Sequence, residues 1–175
     1  MTHIRFCIIL IQTLIILLFA TKVVAQPSGD SAGFSQVGGF IGRVLPNGID
    51  GADEIFEKYG LRYSIAGGKS SYYDITGFYA DSEGVQWTGV SFGISAQIPI
   101  ETLIGHAGVG LDYTRVETET APADDAIGGH FIGGVMTSID GGVLVRFDMK
   151  FNSGPGTSLF FALGIVFELG GGASQ

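Results

Sequence analysis

Residues 143–169 alternate strictly between apolar and other side chains. Val143, Val145, Phe147, Met149 and Phe151 share one parity, and Leu144, Arg146, Asp148, Lys150 and Asn152 the other. After a break at 152–157 the alternation resumes. Leu159, Phe161, Leu163, Ile165, Phe167 and Leu169 oppose Ser158, Phe160, Ala162, Gly164, Val166 and Glu168. A period of two places successive side chains on opposite faces of a β-strand. Two long apolar faces in succession need an apolar medium, either a protein core or a lipid bilayer.

The same pattern recurs upstream. Residues 59–66 set Tyr59, Leu61, Tyr63 and Ile65 against Gly60, Arg62 and Ser64. Residues 71–80 set Tyr73, Ile75 and Tyr79 against Tyr72, Asp74, Thr76 and Phe78. In 85–98, Val90, Phe92, Ile94 and Ile98 oppose Trp87, Gly89, Ser91, Gly93, Ser95 and Gln97; in 106–117, Val109, Leu111 and Tyr113 oppose His106, Gly108, Gly110 and Asp112. Two further segments, 33–45 and 127–137, read as strands whose inner and outer faces the sequence does not distinguish. The count is eight strands. A break is expected at Pro46-Asn47-Gly48, and 53–58 has at most one helical turn, too short to stand alone, within a structured loop. The connections at 46–58, 81–84, 118–126 and 153–156 would lie at one end, and those at 67–70, 99–105 and 138–142 at the other. The first group holds the two longest and most acidic, and loops long at one end and short at the other are a habit of transmembrane barrels.

The start of the chain differs. A short basic stretch ending at Arg5, the apolar run 6–20 and the small residues Val23-Val24-Ala25 have the organisation of a secretory signal peptide. Residues 1–25 are therefore expected to be a signal, cleaved after Ala25, with the domain proper at 26–175. An uncleaved anchor is the competing reading, and the run is short for the ~20 residues of a spanning helix. Cys7, the only cysteine, lies within the signal, leaving no thiol, disulfide or cysteine-based metal site downstream.

Composition narrows the medium. Arg5 and Lys22 belong to the leader, so the rest of the chain is more acidic than the formal charge of −8 for the whole. Nucleic acid is not an expected partner, because phosphate binding needs basic patches. The 29 glycines are spread through the strands. In strands glycine marks bends and close approach, as a narrow barrel requires. Eight strands enclose an interior just wide enough for side chains to fill. The small and polar parity would line it, giving a lumen network of Arg62, Asp74, Gln97, His106, Asp112, Arg146, Asp148, Lys150 and Glu168. The aliphatic parity would face lipid over the ~9 to 11 residues that cross a bilayer, with Tyr59, Tyr79, Tyr113, Phe151 and Phe167 as interfacial girdles. Arg115 falls on the lipid side near a strand end, where it can reach head groups. A soluble ligand-binding barrel with its apolar face inward is the competing arrangement. It would expose too few charges to stay soluble.

The whole segment after the leader resembles small bacterial outer-membrane β-barrel proteins of the OmpA-like and OmpX-like type. That resemblance implies an all-β fold, an eight-stranded antiparallel up-and-down transmembrane β-barrel in the outer membrane of a Gram-negative cell, and a monomer. It also implies that Gly164, Phe167 and Leu169 form the terminal signal read by the outer-membrane assembly machinery. Ala162 stands where a polar residue is usual, and the chain continues through 170–175 beyond the signal. Outer-membrane lipid and lipopolysaccharide are the other expected partners, and no cofactor or metal is expected. Function is expected to be structural or surface-interacting, with a polar, plugged interior. A narrow porin-like pore or small-solute conduit is the alternative, and a lipid A-modifying enzyme the third. Neither His106 nor His130 has the local serine or acidic partner such an enzyme would use, so no catalytic residue is assigned. The acidic outer loops could recruit divalent cations to lipopolysaccharide phosphates, but a solvated rim is the simpler reading.

Overall fold

The computed structural model describes residues 34–47, 55–68, 70–82, 84–118, 122–140, 142–154 and 156–169. The expected signal peptide and the tail after Leu169 lie outside them. The described residues form eight strands: β1 (Ser35–Asn47), β2 (Phe56–Ala66), β3 (Ser71–Ser82), β4 (Val85–Ile100), β5 (Leu103–Thr118), β6 (Asp124–Asp140), β7 (Val143–Ser153) and β8 (Thr157–Leu169). Each pairs antiparallel with its sequence neighbour. The order β1 to β8 closes when β8 pairs with β1, from Ser35 opposite Leu169 to Asn47 opposite Thr157. This is the expected eight-stranded up-and-down barrel.

Several strands run further than alternation alone predicts. Pro46 does not break β1; it pairs with Ser158 of β8, on a stretch that projects past β2, whose pairing with β1 ends at Val44 opposite Phe56. A proline lacks the N–H that a strand on that open edge would have to provide, so an overhang accommodates it. Pro99 follows the same rule. It pairs with Ile104 of β5 beyond the last β3 partner of β4, Ala96. The reversal expected over 99–105 therefore shrinks to Glu101 and Thr102, and Glu101 takes the left-handed conformation at φ 52°. Phe56 to Lys58, expected within a loop, instead extend β2 and pair with Val44, Arg43 and Gly42. That extension turns Phe56 and Lys58 inward.

The wall has two unlike faces. Outward side chains are large and apolar, including Phe92, Ile94, Leu111, Phe131, Leu163 and Ile165. The two strands that sequence left undetermined also resolve: Phe40 and Val44 of β1, and His130, Ile132 and Met136 of β6, share the inward parity of their neighbours. The lumen is layered. Near the β1–β2, β3–β4 and β5–β6 connections, Val44, Phe56, Phe78, Ala80, Val85, Trp87, Val116, Phe160 and Ala162 form a buried apolar cluster, with Phe40 packed against it. Phe56 and Phe78 meet Trp87 edge-on at ring-centre distances of 6.4 and 6.5 Å. Met136, Leu144 and Val166, with Ile104, form a smaller apolar cluster at the other end. Arg62, Asp112, Arg146, Asp148 and Lys150 lie between the two.

Candidate functional site in the barrel lumen

Charged residues enter the lumen because each occupies the inward parity of a strand whose other parity is apolar. Arg62 comes from β2, His106 and Asp112 from β5, His130 from β6, and Arg146, Asp148 and Lys150 from β7. They assemble around two carboxylates, each 2% exposed. Arg62 Nη1 donates to Asp148 Oδ2 at 2.7 Å and Arg146 Nε to Asp148 Oδ1 at 2.8 Å. His106 Nε2 lies 2.6 Å from the same Oδ1, and a carboxylate can only accept, so Nε2 carries the proton. Arg62 also donates through Nε to Thr76 Oγ1 at 3.3 Å.

Asp112 has a different set of partners. Lys150 Nζ donates to its Oδ1 at 2.6 Å and to Ser91 Oγ at 2.8 Å, while Ser91 donates to the same Oδ1. His130 Nδ1 approaches Oδ2 at 3.1 Å. Serine, histidine and aspartate thus meet here, in an order unlike a nucleophile–base–acid relay. Ser91 gives its proton to Asp112, whereas a relay would have it face the imidazole.

Glycine makes room for both imidazoles. His130 is in register with Gly110, and a Cβ there would lie 2.6 Å from His130 Cε1. His106 is in register with Gly134, where a Cβ would lie 2.7 Å from His106 Cε1. Each ring therefore lies across the bare backbone of the adjacent strand, the close approach that glycine alone permits.

The remaining expected residues are placed less centrally. Asp74 accepts hydrogen bonds from Ser64 on one oxygen and Ser95 on the other. Gln97 Nε2 donates to Gln36 Oε1 at 3.2 Å. Glu168 is half-buried near the end of β8, and its carboxylate makes no ion pair among the described residues. Of the residues expected to form an assembly signal, Gly164 faces inward opposite Phe40 and Arg146. Phe167 is exposed on the outer face, and Leu169 ends β8 opposite Ser35.

Sequence reasoning missed Lys58. It is 3% exposed, with Nζ 3.7 Å from the centre of the Phe78 ring and 4.3 Å from that of Phe160. Among the described residues it makes no ion pair. With it the described residues place four cations in the lumen, Lys58, Arg62, Arg146 and Lys150, against the carboxylates Asp74, Asp112, Asp148 and Glu168. The signal that could have found it is the parity Phe56, Lys58, Gly60, Arg62, which continues β2 backwards without interruption. Between the ion pairs and the aromatic layer is a cavity of about 20 Å³, bordered by Lys58, Phe78, Ser91, His130, Lys150 and Phe160. That is room for one or two waters.

Three solved structures share this architecture. The N-terminal β-barrel domain of OprF from Pseudomonas aeruginosa superposes with a TM-score of 0.65 at 10% identity, covering 79% of this chain and 98% of that one. Neisserial surface protein A gives 0.64 at 9% identity, covering 81% and 100%. The outer membrane protein OprG from Pseudomonas aeruginosa gives 0.57 at 12% identity, covering 80% and 98%. No protein-family model matches the sequence, and no curated protein matches it at a significant level. The fold is that of the bacterial outer-membrane β-barrels.

Proposed function

We propose that this chain is an outer-membrane barrel that serves as a structural or surface-interacting element, with a lumen plugged by its own side chains. The observation that carries the reading is the layering of the interior. Buried ion pairs fill its middle, and an aromatic and aliphatic cluster seals the end nearest the longer connections. A path for ions would have to pass both. Buried charges remove themselves from conduction when they are paired and hydrogen-bonded to one another, and a cavity of about 20 Å³ is far below the dimensions of a hydrated ion path.

The outer face supports membrane residence. Phe92, Ile94, Ile98, Leu111, Ile127 and Phe131 are each more than half exposed, a surface that water would not tolerate on a monomer and that hydrocarbon accepts. Tyr59, Tyr79, Tyr113 and Phe151 lie on this face toward the loop end and Phe167 toward the other, where Tyr73 joins it, as two interfacial girdles would. In this reading the partners are outer-membrane lipid, lipopolysaccharide and the assembly machinery, the last through Gly164, Phe167 and Leu169.

Two measurements test the reading. The protein should fractionate with outer membranes and migrate differently on a denaturing gel before and after boiling. Refolded into planar bilayers, it should give no stable single-channel conductance. A steady large pore would overturn the plug, and a soluble periplasmic product would overturn the membrane assignment.

A further inference from the structure

The outer face of the described residues carries two cations, Arg43 and Arg115, and they are treated differently. Arg115 is paired on the protein itself: its Nε donates to Glu117 at 2.9 Å, and Asp125 lies 3.7 Å from Nη1. Arg43 makes no side-chain hydrogen bond or ion pair among the described residues. Its cross-strand neighbour on β2 is Glu57, the natural partner, but Glu57 accepts a 2.7 Å hydrogen bond from Tyr59 instead. On the other side Arg43 faces Phe161 of β8.

The cation lies level with the loop-end girdle: its β2 partner Glu57 pairs in turn with Asp81 of β3, one step nearer the loop end than the girdle residue Tyr59, which pairs with Ile41. Lipid phosphates lie at that depth, where a lipid-facing arginine costs least. Around it is an open groove of about 340 Å³ between β7, β8 and β1, with Ile41, Leu45, Phe147, Phe161 and Leu163 among its walls. An apolar trough with one unpaired guanidinium is complementary to a molecule that combines acyl chains with a phosphate. Guanidinium meets phosphate in two parallel hydrogen bonds.

We propose that this groove is a lipid-binding site, with acyl chains along the apolar walls and a lipid phosphate on Arg43. The occupant is lipopolysaccharide, the phosphorylated lipid of the outer leaflet, because Arg43 lies in the half of the barrel that carries the longer connections, the half facing outward in a barrel of this topology. The assignment rests on the membrane reading above and goes beyond it by naming the residue and the lipid chemistry.

The refolded full-length protein, in zwitterionic micelles, would be titrated with purified bisphosphorylated lipid A and followed by native mass spectrometry. Every variant would first be checked for heat-modifiable migration. The wild type should bind one lipid A preferentially, and Arg43→Gln should weaken that binding about tenfold. Phe161→Ala should weaken it several-fold, whereas Arg115→Gln should leave it within twofold. Lipid A stripped of its phosphates should bind the wild type about as poorly as intact lipid A binds the Arg43→Gln variant. Equal affinity of wild type and Arg43→Gln would overturn the site while leaving the membrane reading intact. Phosphatidylglycerol binding as tightly as lipid A would overturn the assignment to lipopolysaccharide. A wild type without heat-modifiable migration would overturn the membrane reading and the site with it.

Discussion

The two buried carboxylates of the lumen invite comparison. Asp148 and Asp112 are equally hidden, and each has a histidine lying over a glycine. Their cations differ. Asp148 is held by two guanidiniums from different strands, Arg62 of β2 and Arg146 of β7, whereas Asp112 is held by the single ammonium of Lys150 and by Ser91. Guanidinium is planar, permanently charged and weakly hydrated, so it tolerates burial and fixes direction. An ammonium is compact and strongly hydrated, and needs oxygen acceptors gathered around it. Ser91 and Asp112 supply these to Lys150, beside the small internal cavity. Both centres bridge strands three apart round the barrel, Arg62 of β2 to Asp148 of β7 and Lys150 of β7 to Ser91 of β4; what differs is the cation at each.

The largest expected effect separates the centres directly. Asp148→Asn strands two guanidiniums without a counter-ion and should destabilise the refolded barrel by about 4 kcal/mol, in the range for breaking a buried pair. Asp112→Asn strands one ammonium, which keeps Ser91 as an acceptor, and should cost about 3 kcal/mol, the low end of that range. Denaturant unfolding in micelles, followed by loss of the fast-migrating gel form, would rank them. The reverse order would break the comparison.

A double-mutant cycle between Asp112→Asn and Lys150→Met should then return a coupling of about 2 kcal/mol. The same unfolding assay serves, and additive effects would show that the 2.6 Å contact contributes nothing of its own.

Glycine sharpens the picture at a smaller scale. Gly110→Ala would place a Cβ against Phe92 O as well as the His130 ring, and should cost about 1 to 3 kcal/mol through overpacking. Gly77 faces outward, and a methyl group there would meet nothing within 4 Å, so Gly77→Ala should fall within about 0.5 kcal/mol of wild type. Equal effects would remove the argument that the imidazoles require bare backbone.

The smallest effect is expected at Lys58. A buried ammonium over two rings, without a carboxylate, gains about 2 kcal/mol or less from the rings and bears the full desolvation of its charge. Lys58→Met should therefore be neutral or slightly stabilising, and a loss above about 2 kcal/mol would mean that the lysine holds the aromatic layer in place.

The alternation over 143–169 made the closing hairpin legible, because Arg146, Asp148 and Lys150 stand against an unbroken apolar row. The same logic failed on β1 and β6 for a physical reason. Phe40 and Val44 point inward because the lumen is apolar at that level, and β6 carries Gly129 and Gly133 outward as well as Gly128 and Gly134 inward, so neither face contrasts with the other. Lys58 was hidden by its setting. Asp53, Glu54 and Glu57 precede it, and such a charge run reads as a solvated turn. Partner choice across the lumen was not legible either. Arg62 reaches Asp148 from β2 to β7, an encounter set by strand tilt and stagger after closure.

Closure also has a kinetic meaning. The seam joins β1 to β8, so its residue pairs are the most distant in sequence that the wall contains. Until they meet, the sheet has two raw edges, and Arg62 and Asp148 lack the enclosure that makes their pairing worthwhile. Non-local contacts of this kind are slow to find, and open edges invite association with other chains. The last strand therefore completes the wall: the ion pairs across the lumen gain their enclosure only once Leu169 has met Ser35, and before that both sheet edges stand open to other chains.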